Sequence, residues 1–162
     1  REIAESYPQI GAKEAYIDAF TMWLVRDPED LDVVVLPNMF GDIATDLASV
    51  LQGGMGMAAS ANLGDKHMMF EPVHGSSPKH AGKNRVNPIA MLSSLQLMLE
   101  NLSLRHDDPL LDKYGNILQQ AISQHLSSDG PKTYDIGGTG TTSEVGDAIA
   151  DRVRTLLKNE KA

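Results

Sequence analysis

The sequence has 162 residues, of which 41% are hydrophobic and 22% are charged, and it contains no cysteine. This length suits one domain or parts of two, and the lack of cysteine excludes disulfides, thiolate nucleophiles and cysteine-ligated metals. The net charge of −8 argues against nucleic-acid binding, and no apolar run approaches the roughly 20 residues that span a membrane. We therefore expect a cytoplasmic protein with no nucleic-acid partner and no membrane partner.

The first third of the chain predicts two helices on either side of a strand. Apolar residues repeat at helical spacing over residues 12–26, and Asp27-Pro28 ends that helix. The apolar run over residues 32–36 predicts a buried strand. A second helix is predicted over residues 42–52, where Gly53-Gly54 ends it.

The remaining residues predict mainly helix. A Gly-rich connection covers residues 53–64, a short strand covers residues 67–70, and a polar loop with one helical turn covers residues 74–87. Three helices follow, at Pro88 to about Asn101, Pro109 to Leu126, and Ser143 to about Leu157 with Ser143 as N-cap. Strands that alternate with helices indicate an α/β protein. The strands are too few for a complete sheet and the chain starts with Arg1, so we expect part of the fold to lie outside this sequence.

Two carboxylates, Asp42 and Asp46, lie four residues apart directly after the apolar run. If a helix begins near Gly41, both lie on one helix face about one turn apart. Their repulsion needs a compensating charge, which a divalent cation with oxygen ligands can supply. The alternative is helix capping, because the macrodipole favours Asp in a first turn without any chemistry. Asp18, on the preceding helix, is either a third carboxylate for this pair or an exposed polar residue.

The loop that follows the short strand is rich in hydrogen-bonding groups. Gly75 frees its backbone, and neighbouring side chains supply donors and positive charge. This chemistry suits a nucleotide with phosphates, and the alternative is a solvated surface loop. Neither a G-x-G-x-x-G fingerprint nor a Walker A loop is present. The donors and cations are His74, Ser76, Ser77, Lys79, His80, Lys83 and Arg85.

Four segments occur in the order found in one enzyme family, and the chain resembles the isocitrate/isopropylmalate dehydrogenase family over essentially its whole length. The resemblance is to the C-terminal half of a family member. It implies an isopropylmalate dehydrogenase-like, two-domain α/β fold that is distinct from the Rossmann fold. Residues 1–52 would belong to the central dimer-forming, substrate domain, and residues 53–162 to the C-terminal part of the cofactor-binding domain. The segments are AYIDAFTMWLVRDPEDLDVVVLPNMFGDIATD, GGMGMAASANLG, FEPVHGSSPKHAGKNRVNPIAM and DIGGTGTTSEVGDAI.

The resemblance implies oxidation, and in most members decarboxylation, of a 2-hydroxy di- or tricarboxylate with NAD or NADP. It assigns Mg²⁺ or Mn²⁺ to Asp42 and Asp46 of one protomer and Asp18 of its partner, and so implies a homodimer with shared active sites. The favoured substrate is 3-isopropylmalate, with isocitrate, homoisocitrate, tartrate and malate as alternatives. A non-catalytic regulatory role is also open, although regulatory subunits often lose the metal carboxylates that this chain keeps.

The resemblance also assigns a cofactor site to this chain, and it implies that the catalytic site is incomplete here. NAD-using members commonly have Asp where this chain has Lys79, and a cation there pairs with the extra phosphate of NADP, so NADP is favoured. The second Tyr and a downstream Arg of the NADP-using pattern are absent. No catalytic residue is assigned, because the family's catalytic Tyr and Lys and its substrate arginines are not found, and we expect no turnover from the isolated chain. The cofactor-binding residues are His74, Gly75, Ser76, Ser77, Lys79, His80, Asn87 and Tyr134.

Overall fold

The structure is a computed structural model that describes residues 2–159. The chain divides into two compact units, with the boundary between Ala48 and Ser49. The predicted boundary after residue 52 lies close to this division. The domain roles assigned to residues 1–52 and 53–162 stay predictions.

Over its described residues, the first unit contains three α-helices, a short 3₁₀ turn (Pro28–Asp30) and a small core. The helices are α1 (Glu2–Glu5), α2 (Ile17–Arg26) and α3 (Asn38–Ser49), whose last residue falls in the second unit. Phe20 and Leu24 of α2 are buried together with Ala44 of α3. This packing holds α2 against the helix that bears the carboxylate pair.

Between residues 49 and 159, the second unit contains a two-stranded sheet and three long helices. Strands β1 (Ala59–Leu63) and β2 (Met68–Pro72) are antiparallel, with Ala61 opposite Phe70. Helix α4 packs against both strands and against α5, which packs against α6. The core is formed by Ile89, Leu118, Ala121, Ile122, Val145 and Ile149. The helices are α4 (Ile89–His106), α5 (Pro109–Leu126) and α6 (Thr142–Asn159).

The predicted strand over residues 32–36 is wrong for this chain. Residues 33–37 have no regular structure, and Val33 and Val35 are 84% and 90% exposed. A strand needs a neighbouring backbone to satisfy its N–H and C=O groups. In residues 2–159 the two strands, β1 and β2, pair with each other.

Two predicted helix starts are also wrong. Helix α2 begins at Ile17 rather than at residue 12, because residues 12–16 are exposed and no packed apolar face stabilises them as helix. Helix α3 begins at Asn38, ahead of the predicted residue 42. The α-helix ends at Ser49, a 3₁₀ turn (Val50–Gln52) continues it to the predicted residue 52, and Gly53, with a left-handed φ of 103°, ends it as predicted.

The predictions for the second unit are closer to the structure. Helix α5 has the predicted bounds: Pro109 occupies its first turn and the Asp108 side chain accepts the Leu110 N–H at 2.9 Å. Helix α4 continues past the predicted Asn101, and strand β1 lies where a connection was predicted. No helix in residues 2–159 is long and apolar enough to cross a membrane.

Ser143 is not the N-cap of α6. The helix begins at Thr142, and Thr141, just before it, forms a reciprocal capping box with Glu144 in its first turn. The Glu144 carboxylate accepts the Thr141 N–H at 2.8 Å, and the Thr141 hydroxyl oxygen accepts the Glu144 N–H at 3.3 Å. The backbone and side-chain hydrogen bonds from Thr141 hold the pKa of Glu144 below its ordinary value.

Candidate functional site

The two predicted metal carboxylates lie on successive turns of α3. Asp42 and Asp46 are both exposed, and Asn38 Nδ2 donates to Asp42 Oδ2 at 3.0 Å. Asp18 lies in the first turn of α2, where its Oδ1 accepts the Ala19 N–H at 2.8 Å. Over residues 2–159 no three His, Cys, Asp or Glu side chains are grouped to hold a metal ion. Within one chain, the structure therefore brings together Asp42 and Asp46 but does not add Asp18 to them.

The donor set of α3 fits part of a site for a hard divalent cation. Mg²⁺ and Mn²⁺ take oxygen ligands, and carboxylates one helical turn apart can face a single ion. The hydrogen bond from Asn38 fixes one oxygen of Asp42 and orients the other. Further ligands have to come from substrate, water or another chain.

The predicted cofactor loop leaves β2 and forms a single 3₁₀ turn at Pro78–His80. Ser77 precedes this turn with φ 45°, a left-handed conformation that is uncommon for a residue other than glycine. Its hydroxyl lies 2.9 Å from His80 Nδ1, which ties the two ends of the turn together. A Cβ on Gly75 would meet nothing within 4 Å, so the loop is open at that point.

Two side chains of the cofactor loop, His80 and Arg85, contact the ring of Tyr134, which is distant in sequence. The His80 ring stacks on it with centroids 6.0 Å apart and an interplanar angle of 18°. The Tyr134 hydroxyl lies 3.5 Å from His80 Nε2. Arg85 places its guanidinium carbon 4.3 Å from the centre of the Tyr134 ring. The sequence indicated Arg85 only as nearby charge, since no spacing rule shows that residues 85 and 134 meet.

Asn87 is a buried link between three segments. It is 7% exposed, and its Nδ2 donates to Asp135 Oδ2 at 3.0 Å and contacts Met57 Sδ at 3.4 Å. Its Oδ1 accepts the Ile89 N–H at 3.0 Å, at the start of α4. These bonds give Asn87 a structural role, and its predicted contact with a cofactor stays a prediction. Asp135 was not predicted as a site residue, although it is the first residue of the DIGGTGTTSEVGDAI segment and follows Tyr134.

The loop segment around Arg85 is bonded to the first turn of α6. Asn84, with φ 48°, accepts hydrogen bonds at Oδ1 from the Ser143 N–H at 3.0 Å and the Ser143 hydroxyl at 2.9 Å. The Thr142 hydroxyl donates to the Val86 carbonyl at 2.5 Å. The residues before and after Arg85 are therefore both hydrogen-bonded to α6.

The predicted cofactor residues are only partly brought together. Among residues 2–159, hydrogen bonds and ring contacts join Ser77, His80 and Tyr134. His74 Nδ1 bonds to the neighbouring Gly75 carbonyl at 2.9 Å, within the loop itself. Ser76 and Lys79 lie in the same loop, next in sequence to Ser77 and His80.

The structure superposes on known enzymes of one α/β type. The crystal structure of isocitrate dehydrogenase from Methylococcus capsulatus matches with a TM-score of 0.86 and 36% identity, covering 94% of this chain and 44% of that chain. The fold is therefore the isopropylmalate dehydrogenase-like α/β fold that the sequence predicts.

The sequence matches the family model described as isocitrate/isopropylmalate dehydrogenase over residues 1–149, and the chain belongs to that family. It is 41% identical to the 3-isopropylmalate dehydrogenase of Methanothermobacter thermautotrophicus, covering 92% of this chain and 43% of that protein. It is 39% identical to a mitochondrial regulatory subunit of the NAD isocitrate dehydrogenase of Dictyostelium discoideum, covering 97% of this chain and 43% of that protein. The chain spans less than half the length of these relatives.

Proposed function

We propose that this chain supplies metal carboxylates and cofactor-binding residues for the NAD(P)-dependent oxidative decarboxylation of a 2-hydroxy acid. Family membership supports the reaction class, and the pair of exposed carboxylates on one face of α3 is the observation that carries the proposal. The favoured substrate is 3-isopropylmalate, as in the name of the Methanothermobacter relative, with isocitrate, homoisocitrate, tartrate and malate as the alternatives.

The carboxylates act by binding and orienting. When bound, Mg²⁺ or Mn²⁺ polarises the hydroxyl and carboxylate oxygens of the substrate as a Lewis acid, and NAD(P)⁺ accepts the hydride. Asp42 and Asp46 hold the cation, and Asn38 fixes the orientation of Asp42. Asp18 of a second copy completes the carboxylate set, so the active form is a homodimer.

The cofactor lies along the loop after β2. Gly75 allows its backbone to come close, and His74, Ser76, Ser77 and His80 supply hydrogen-bonding groups. Lys79 favours NADP, because an ammonium group stabilises the additional phosphate. Asn87 and Tyr134 border this site from the other side of the loop.

Metal binding by the purified chain tests the carboxylate assignment. We expect Asp42→Asn and Asp46→Asn each to weaken Mn²⁺ binding by about tenfold or more. Binding is measured from the electron paramagnetic resonance signal of free Mn²⁺. The matched control is Asp147→Asn, which removes an exposed carboxylate from α6. Equal affinity in all three variants and the wild type would remove Asp42 and Asp46 from the metal site.

Mixing variants tests the shared site. Asp18→Asn and Asp42→Asn should each bind Mn²⁺ about tenfold or more weakly as homodimers, while a mixed dimer regains one intact site. A mixture that binds no better than either variant alone would show that Asp18 does not act across a dimer.

We assign turnover to a full-length family member and not to the 162-residue chain alone. The isolated chain should show no NAD(P)-dependent oxidation, because no catalytic residue is assigned to it. A regulatory role is the second candidate, favoured by the name of the Dictyostelium relative. If the wild-type chain binds Mn²⁺, that result would support a catalytic role for this chain over a regulatory role.

A further inference from the structure

The connection between α5 and α6 contains the one place in the sequence where an aspartate precedes a glycine, Asp129-Gly130. Asp129 is exposed, and within residues 2–159 no hydrogen bond or ion pair holds its carboxylate or its peptide groups. The carboxyl group of Asp129 can therefore turn towards the peptide nitrogen that follows it in the chain.

That nitrogen, the backbone amide of Gly130, is only weakly held. Its N–H donates to Ser128 Oγ at 3.3 Å, beyond the usual range of about 2.7–3.2 Å for such a bond. The Ser128 hydroxyl makes its shorter bonds elsewhere, since it accepts from Arg152 Nη2 at 2.7 Å and donates to the His125 carbonyl at 2.8 Å. Because glycine has no Cβ, no side chain of residue 130 shields the nitrogen.

We propose that Asp129 is a site of spontaneous isomerisation to isoaspartate, and that this change breaks the contact between His125 and Pro131. The Gly130 nitrogen attacks Cγ of Asp129, and a carboxyl oxygen leaves as water with the amide proton and a proton from solvent. Water then opens the succinimide ring. Attack at Cγ restores aspartate, whereas attack at the former backbone carbonyl leaves the main chain running through Cβ and Cγ, with a free α-carboxylate. The mass is unchanged, and no oxidant or cofactor is needed.

The rearrangement lengthens the main chain between residues 129 and 130 by one carbon–carbon bond, about 1.5 Å. There is little room beside Gly130 for this length, since a Cβ there would lie 3.2 Å from Ser128 Oγ and 3.3 Å from His125 Cε1. Pro131 follows directly, and its carbonyl lies 2.9 Å from Nε2 of the buried His125. A displaced Pro131 leaves this ring nitrogen without its partner, which destabilises the fold because the ring is buried.

Ageing of the purified chain at neutral pH tests the isomerisation. Trypsin releases residues 114–132, in which Asp129 is the only acidic residue. We expect a second peptide of the same mass that separates by chromatography, and ageing in H₂¹⁸O should add heavy oxygen to it. Asp129→Glu does not form the succinimide and should lack this product. Asp129→Asn should form isoaspartate faster, because an amide has no negative charge to repel the nucleophile.

Asp107 is the internal control, because it is also exposed but precedes an aspartate instead of a glycine. Its tryptic peptide, residues 106–113, should stay a single species. A synthetic peptide of residues 114–132 is the positive control for the ageing conditions. The absence of isoaspartate from the folded chain overturns the isomerisation, and product in the synthetic peptide alone identifies the fold as the cause of the protection.

The same aged samples test the effect on the fold. Aged wild type should contain a fraction whose Tm is lower by about 2–4 °C or more, whereas aged Asp129→Glu should melt as the fresh variant does. If isoaspartate forms and the Tm of the modified fraction is unchanged, the proposed loss of the contact between His125 and Pro131 is wrong.

Discussion

His125 is a histidine whose environment keeps it neutral. It is fully buried, and its Nε2 lies 2.9 Å from the Pro131 carbonyl. A carbonyl only accepts hydrogen bonds, so Nε2 carries the proton and donates it. Nδ1 is buried without a hydrogen-bond partner among the described atoms. Burial lowers the pKa of His125, and the charges of Arg152 and Lys132 lower it further.

This environment predicts loss of stability in mild acid. The unfolded chain takes up a proton near pH 6.5, whereas folded His125 does so only at lower pH. Below about pH 6.5 the unfolded state binds more protons, so the free energy of unfolding falls as pH decreases, by at most about 1.4 kcal/mol per pH unit from this group. We expect His125→Gln, which keeps an N–H donor but does not titrate, to reduce the change in Tm between pH 7 and pH 5.

The control for this prediction is His106→Gln, at an exposed histidine at the end of α4. It should retain the wild-type dependence of Tm on pH. If His125→Gln retains it too, another group is responsible for the acid sensitivity.

Two segments cross very closely in the connection between α5 and α6. The Lys132 carbonyl accepts the Gly140 N–H at 2.7 Å, and the Thr133 carbonyl accepts the Gly138 N–H at 2.9 Å. A Cβ on Gly138 would lie 2.0 Å from the Lys132 oxygen. No side chain can be added there unless the backbone moves. This crossing fixes the path of the chain into Tyr134.

Two glycine substitutions separate this steric constraint from ordinary backbone effects. Gly138→Ala should lower the free energy of unfolding by about 3 kcal/mol or more, measured by urea denaturation. Gly146→Ala, inside α6 with nothing within 4 Å of its Cβ, should raise the free energy of unfolding by about 0.5–1 kcal/mol. Similar values for both variants would contradict the close approach at Gly138.

The elements that the sequence predicts well are those with local signals. The Asp108-Pro109 start of α5 needs no knowledge of the rest of the fold. Strand β1 (Ala59–Leu63) has no β-branched residue, and forms because β2 pairs with it and α4 packs on it. The apolar run over residues 32–36 has strong strand propensity but no pairing partner among residues 2–159, so propensity alone gave a wrong result.

At the scale of the molecule, the sequence predicted which residues belong to the candidate site but not which of them contact one another. The loop residues His74 to His80 lie together because they are contiguous in sequence. The meeting of Arg85 with Tyr134, and of Asn87 with Asp135, depends on how α4 and α5, which lie between them in sequence, pack against each other. Sequence spacing contains no information on those distances.

The two units differ in the size of their cores, and this predicts unequal protection of their amides. The first buries Phe20, Leu24 and Ala44, while the second buries a larger cluster around α4, α5 and α6. Local opening is easier where fewer apolar contacts are lost. In hydrogen–deuterium exchange of the whole chain, amides of α4 and α5 should exchange at least about tenfold more slowly than those of α2 and α3. Equal protection in both units would contradict this difference.

The exposed valines of the first unit also affect how this 162-residue chain by itself behaves in concentrated solution. Val33 and Val35 display apolar side chains on an extended backbone whose polar groups have no strand beside them among residues 2–159. Such a segment can recruit the same segment of another molecule and start aggregation into β-structured assemblies. In this 162-residue chain by itself, Val35→Lys would act as a gatekeeper against this pairing at little cost in folding, because the Val35 side chain is 90% exposed there.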